Sequence, residues 1–349
     1  MSMKFGISWT VMLVFVWLGA SIAQSDESIS QLRERAAAQL GTLPAEAPNP
    51  ENPITDAKVD LGRMLYYDAR LSKNHDVSCN TCHLLDRFGV DGDPTSTGHR
   101  GQKGGRNAPT SLNAALHIAQ FWDGSAKDVE SQAMGPPLNP IEMAMPNAQA
   151  VEFVLRSIPG YEPLFSAAFG EDAPAIGFDN MARAIAAFER RLITPAPFDA
   201  FLKGDDSRLD AQQQRGLDTF LTVGCTACHM GALLGGTVYQ KIGLVHPYDD
   251  PDPGRQEVTG NASDRQIFKV PSLRNIEKTG PYFHHGKIDT LAEAIRLMGW
   301  HQIGVKLSPD QIADIAAFLS SLTGTIDPNY VARPDLPPSG PTTPKPDPS

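Results

Sequence analysis

The sequence lacks any basic excess: 30 Lys and Arg stand against 40 Asp and Glu, a formal charge of −10 at pH 7. Such a chain repels a phosphate backbone, which excludes nucleic acid as an ordinary partner and favours basic proteins. It also lacks a bilayer-length apolar run. The one long run, Val11 to Leu18, is shorter than the roughly 20 residues that span a membrane. Placed behind Lys4 and ahead of Ser21-Ile22-Ala23, it reads as a cleavable export signal over residues 1–23. The mature chain is therefore expected to be exported, with no membrane span, and its length predicts two domains.

Cysteine is scarce as well, with four residues in the chain. An exported protein ordinarily spends its cysteines on disulfides, but here they fall into Cys79-Asn80-Thr81-Cys82-His83 and Cys225-Thr226-Ala227-Cys228-His229. In this pattern two thiols form thioethers with haem vinyl groups and the adjacent histidine binds iron. A zinc site or two local disulfides would not require a histidine after both pairs. The expectation is two covalently bound haem c groups held by Cys79, Cys82 and His83 and by Cys225, Cys228 and His229.

The motifs lie roughly one domain length apart, and their flanks repeat. Leu61–Tyr66 and Arg215–Phe220 read as helices entering each site, while Ile185-Ala186-Ala187-Phe188 recurs as Ile315-Ala316-Ala317-Phe318. The last helix is marked by Ser308 as N-cap, Pro309 at its first position and an apolar face through Ile312, Ile315, Ala316, Leu319 and Leu322, with Gly324 expected to stop it. An early and a late helix crossing over a haem is how a small cytochrome c folds. The fold class expected is mainly α: two cytochrome c-like domains in tandem, 24–192 and 193–325, with long irregular loops. Thr194-Pro195-Ala196-Pro197 reads as the linker. The proline-rich tail, 326–349, is expected to run extended over the surface or to be disordered.

Two haems alone specify electron transfer; catalysis needs an iron with a position that can open. His99 sits in the glycine-rich stretch Thr97–Gly105, and reads either as a displaceable iron ligand or as an exposed loop histidine. Met298, at the end of a helix over Leu291–Met298, is either a thioether ligand of the second iron or a core methionine. Glu142, after the segment Gly135–Pro140, is either an acid/base group beside an opened iron or a solvated loop carboxylate, and Gln132 could orient a substrate there. The prolines are expected to hold that segment as a loop rather than a helix. Trp122 is either an element of an electron path or packing.

Taken together, Ser78–His83, Gly98-His99, Arg106–Thr110, Phe121–Gly124, Gln132 with Gly135-Pro136, Glu142-Met143, Phe268–Asn275, Pro281–His284 and Met298-Gly299 resemble the bacterial di-haem cytochrome c peroxidases over nearly all of the mature length. The resemblance implies a low-potential peroxidatic N-terminal haem capped by His99 in the resting state, and a high-potential C-terminal haem on His229 and Met298. It also implies displacement of His99 on reduction, Glu142 and Gln132 beside peroxide, Trp122 between the haems, and calcium at Asn107, Thr279 and Pro281. A small periplasmic cytochrome c or copper protein would donate electrons, and the family pattern is a homodimer. Met298 separates this reading from a superfamily rival with a tyrosine ligand that oxidises a partner protein's tryptophans. Glu142, Gln132 and the His99 loop separate it from a plain electron carrier.

Overall fold

The computed structural model describes residues 28–170 and 175–349; the expected export signal, 1–23, lies outside the described residues. The chain is mainly helical. The first half contains α1 (Ile29–Ala37), α2 (Asp56–Tyr67), α3 (Cys79–Cys82), α4 (Val129–Ala133), α5 (Gly135–Leu138), α6 (Ala148–Arg156), α7 (Tyr161–Phe169) and α8 (Phe178–Glu189). The second contains α9 (Pro197–Leu202), α10 (Ala211–Thr222), α11 (Gln256–Thr259), α12 (Leu291–Met298) and α13 (Pro309–Ser320), with one small antiparallel ribbon of β1 (Tyr239–Lys241) and β2 (Ile267–Lys269). Long irregular segments join them. None of the described helices is long and apolar enough to cross a membrane.

The sequence repeat is a repeat of packing. In the first half α2 crosses α8, and in the second α10 crosses α13. Both crossings close on a glycine: a Cβ on Gly62 would sit 1.9 Å from the Ala184 carbonyl oxygen, and one on Gly216 would sit 1.8 Å from that of Asp314. Each also meets the Cβ of the repeated phenylalanine, Phe188 at 3.0 Å and Phe318 at 2.9 Å. Backbone packed this closely cannot admit a methyl group without moving a helix. Gly62→Ala and Gly216→Ala should each destabilise the holoprotein by at least about 1–3 kcal/mol, the usual cost of overpacking. Denaturant midpoints would check this, and an unchanged midpoint would show that the crossing yields freely.

Capping agrees with the sequence at the last helix, where Ser308 and Gln311 form a reciprocal capping box and Pro309 takes the first position. The stop does not come at Gly324: α13 ends at Ser320. There the Ser320 and Ser321 hydroxyls turn back onto the Ala317 and Phe318 carbonyls, at 2.7 and 2.6 Å, the kind of side-chain competition that unwinds a helix end.

Two hydrophobic cores form, but they do not divide as the expected boundary at 192/193 does. Leu32, Ala36 and Leu40, from α1 and just after it, pack with Phe198, Phe201, Leu217 and Phe318 in the second core. Conversely Ile326, Tyr330 and Val331 of the tail pack on the first. The periodicity of α1 shows which face is apolar and cannot say which core receives it. The tail is extended and ordered: the Tyr330 ring stacks on Phe188 at 5.1 Å, Arg70 donates to the Pro337 carbonyl at 2.8 Å, and Asp347 N–H bonds the Lys73 carbonyl at 3.0 Å.

Within the linker, Thr194 is only 1% exposed. Its hydroxyl accepts from the Asn113 and Asn275 amides at 2.8 and 2.9 Å, its N–H donates to Asn113 Oδ1 at 3.0 Å, and Asn275 Oδ1 accepts from Gly324 N–H at 2.9 Å. Buried amides must find partners. Here they find one another across the joint, and so lock the two halves together.

Candidate functional site

Each cysteine pair lies in one tight turn. The N–H of His83 bonds the Cys79 carbonyl and that of His229 bonds the Cys225 carbonyl, both at 3.0 Å, so each imidazole is carried back beside its thiols. Among the described residues no disulfide forms; all four thiols are free and partly exposed. The His229 ring is fixed by Nδ1 against the Leu234 carbonyl at 2.9 Å. That bond sets the tautomer and leaves Nε2 for a metal. His83 lies beside the Pro109 and Gly89 backbone with Nδ1 buried and no completed hydrogen bond. Burial pushes the Cys82 thiol up to about 11 and that of Cys225 to about 12. Thioether formation on two haems accounts for free, paired, partly exposed thiols with an imidazole beside each pair.

His99 is not an exposed loop residue. It is 4% exposed, at the tip of a small hairpin in which Thr97 bridges Lys103 and the Gly98 N–H bonds the Gln102 carbonyl. Its own N–H donates to the Glu142 carbonyl at 2.8 Å, so the loop carrying the candidate ligand is tied to the loop carrying the candidate acid/base group. Gly98 makes the approach possible: a Cβ there would lie 2.1 Å from the Ile141 carbonyl oxygen and 2.7 Å from Glu142 Cα. His99 Nδ1 is buried without a partner, and Nε2 lies 3.3 Å from the Ser349 carbonyl oxygen at the end of the tail.

Glu142 is half-buried rather than freely solvated. Burial raises its carboxyl above the usual range, opposed by a 2.7 Å hydrogen bond from the Asn139 amide. Its charge reaches both Cys79 and Cys82, adding to the burial that already raises those thiols. The geometry thus gathers Glu142, His99 and the first haem turn in one place. The segment before Glu142 is partly helical, against expectation: Gly135–Leu138 makes one turn as α5, with proline in its first positions, where an N–H has no partner to lose. Gln132 lies half-buried on α4, and among the described residues no hydrogen bond joins its side chain to Glu142.

Trp122 stands at the joint between the halves. Its indole N–H donates to the Asn107 carbonyl at 2.9 Å, and its own carbonyl accepts from the Lys269 N–H of β2 at 2.7 Å. Asn107 in turn donates its N–H to the His284 carbonyl at 2.7 Å and its side-chain amide to the Asp93 carbonyl at 3.0 Å. That brings Asn107 against the segment just after Pro281, while the Thr279 hydroxyl faces the Ile276 carbonyl instead. Among the described residues no cluster of three or more His, Cys, Asp or Glu side chains is arranged for a metal, so a cation at Asn107 would need amide and backbone oxygens. Those are ligands that suit calcium. Met298 ends α12, half-buried, and the turn after it reaches the second motif, with Ile303 lying against Gly224, the residue before Cys225.

The family model for di-haem cytochrome c peroxidase matches residues 56–207, and a cytochrome c model matches 213–323. The cytochrome c551 peroxidase of Pseudomonas aeruginosa is 46% identical over 93% of this chain and 94% of its own. The chain belongs to the di-haem cytochrome c peroxidase family. The cytochrome c551 peroxidase of Nitrosomonas europaea is 43% identical over 96% of this chain and 97% of its own. A solved MauG-like protein associated with microbial copper homeostasis shares 30% identity and superposes with a TM-score of 0.73, covering 84% of this chain and 95% of that one. Membership makes the chain a haem-dependent oxidoreductase acting on hydrogen peroxide, with a cytochrome c-type electron donor and two haem c groups.

One buried acid escaped the sequence reading. Glu189 lies within the apolar face of α8, is raised to about 8 by burial and by Glu130, and its charge is felt at Cys79. Nothing in a helical apolar pattern singles out such a residue.

Proposed function

We propose that this is a periplasmic, reductively activated peroxidase, with electron entry at the C-terminal site and peroxide reduction at the N-terminal one. The haems supply electron transfer and an iron where the O–O bond is broken; hydrogen peroxide with two electrons and two protons gives two waters. The residues of this chain do the rest. His83 and His99 would hold the first iron, and His229 and Met298 the second. Reduction of the C-terminal site would release His99, and its hairpin would move with Glu142 because a hydrogen bond joins them. That His99–Glu142 bond is the observation that carries the reading.

Glu142 accepts a proton from one peroxide oxygen and returns it to the other, while Gln132 orients the molecule. Trp122, bonded to both halves of the chain, conducts between the sites. Calcium bound by the Asn107 side chain and the Thr279 and Pro281 carbonyls would brace the same joint. The donor is a small cytochrome c or copper protein, and the enzyme works as a homodimer.

The test is the initial rate of peroxide-dependent oxidation of a reduced small cytochrome c, with calcium present, by fully oxidised and by half-reduced holoprotein. Fast turnover only after half-reduction is expected. Equal turnover in both states would remove the gate.

A further inference from the structure

Outside every role assigned so far stands Lys269, a buried cation with no carboxylate partner among the described residues. Lys269 of β2 is 4% exposed, and its Nζ lies 2.8 Å from His117 Nδ1. An ammonium has only protons to give, so it donates to Nδ1 and the ring proton must sit on Nε2, which is buried with no acceptor. Among the described residues no carboxylate forms an ion pair with Lys269, and burial alone pulls its ammonium down to about 8. Lys269 keeps two further N–H groups beyond the one given to His117. An ammonium out of water without an anion is costly enough that proteins nearly always pair it.

The pair also has a definite place. A Cβ on Gly236 would be 2.9 Å from the His117 ring, and one on Gly235 would be 3.2 Å from His229 Nδ1. The cation therefore lies on the side of the second haem turn, and the Lys269 N–H is bonded to the Trp122 carbonyl. A haem c brings two propionate carboxylates, the anion that the site lacks.

We propose that Lys269, oriented by His117 from the other half of the chain, binds a propionate carboxylate of the C-terminal haem and holds that haem's reduction potential up. Reduction adds negative charge to the haem, so a fixed cation beside it favours the reduced state, and burial keeps the effect from being screened. Lys269 thereby helps make the C-terminal haem the electron acceptor. The proposal rests on the two-haem reading, which haem content per chain tests separately.

The experiment compares Lys269→Gln, Lys269→Arg and His117→Phe holoproteins by spectroelectrochemical titration of both haems and by the propionate bending bands in resonance Raman spectra. In Lys269→Gln, which keeps a donor of similar length, the C-terminal haem should become harder to reduce and its propionate band should shift. The N-terminal haem should stay unchanged, and Lys269→Arg should recover most of the difference. His117→Phe should fall between. An unchanged C-terminal potential and band, an equal loss in the Gln and Arg variants, or a shift confined to the N-terminal haem would each overturn the assignment.

Discussion

Glu142→Gln should lower peroxide turnover by roughly 10²–10⁴-fold, the usual worth of a positioned acid/base group, while both haem spectra and potentials stay as they are. The substitution keeps size and hydrogen bonding and removes only the titrating proton. Its pH signature is equally specific. Burial raises the Glu142 carboxyl, so the form that can accept a proton is lost as pH falls through a value above the ordinary carboxylate range. The acid limb of kcat/KM should therefore lie above that range in the native enzyme and vanish in Glu142→Gln. Asn139→Ala removes the hydrogen bond that favours the charged form and should move the limb higher still. Unchanged turnover in Glu142→Gln would remove the residue from the chemistry.

Asp199→Ala should cost about 3–5 kcal/mol of stability, the penalty for leaving one partner of a buried ion pair alone. Arg274 has no exposed side-chain surface and grips Asp199 with both terminal nitrogens, at 2.7 and 3.1 Å. Its remaining donors reach the carbonyls of Ala232 and Gly41, at 2.8 and 3.0 Å. Asp199 also accepts the N–H groups of Leu43 and Ala196, both at 2.8 Å. The pair thus pins the chain after α1, the start of α9 and the stretch three residues past His229. The double variant Asp199→Leu/Arg274→Met should lose far less than the sum of the single losses, because no charge is left buried. Denaturant midpoints of the holoproteins would decide, and additive losses would show that the two side chains act separately.

Legibility followed the range of the interactions. The haem turns were plain in the sequence because attachment needs two thiols and an imidazole within a single turn. Helices α2, α10, α12 and α13 were readable for a related reason: apolar spacing and caps act over a few residues. The candidate roles of Trp122, Glu142 and His99 were suggested by resemblance. Their positions in the fold, Trp122 across the joint and His99 bonded to Glu142, came from structure. The calcium ligands, Gln132 and the ligand role of Met298 stand as proposals, since no contact in the protein alone joins them to what they would serve.

By itself the sequence determined two covalent haem sites, a repeated pair of helix crossings and the acidic character that steers its partners. The tertiary structure decided that α1 completes the second core, that the proline-rich tail braces the first, and that Thr194 of the linker is a buried node. It alone joined Lys269 to His117. The reason is physical: a motif or a cap is set by neighbours along the chain, whereas an apolar face or a buried charge is satisfied by whatever the packing brings to it, and no local pattern names that partner.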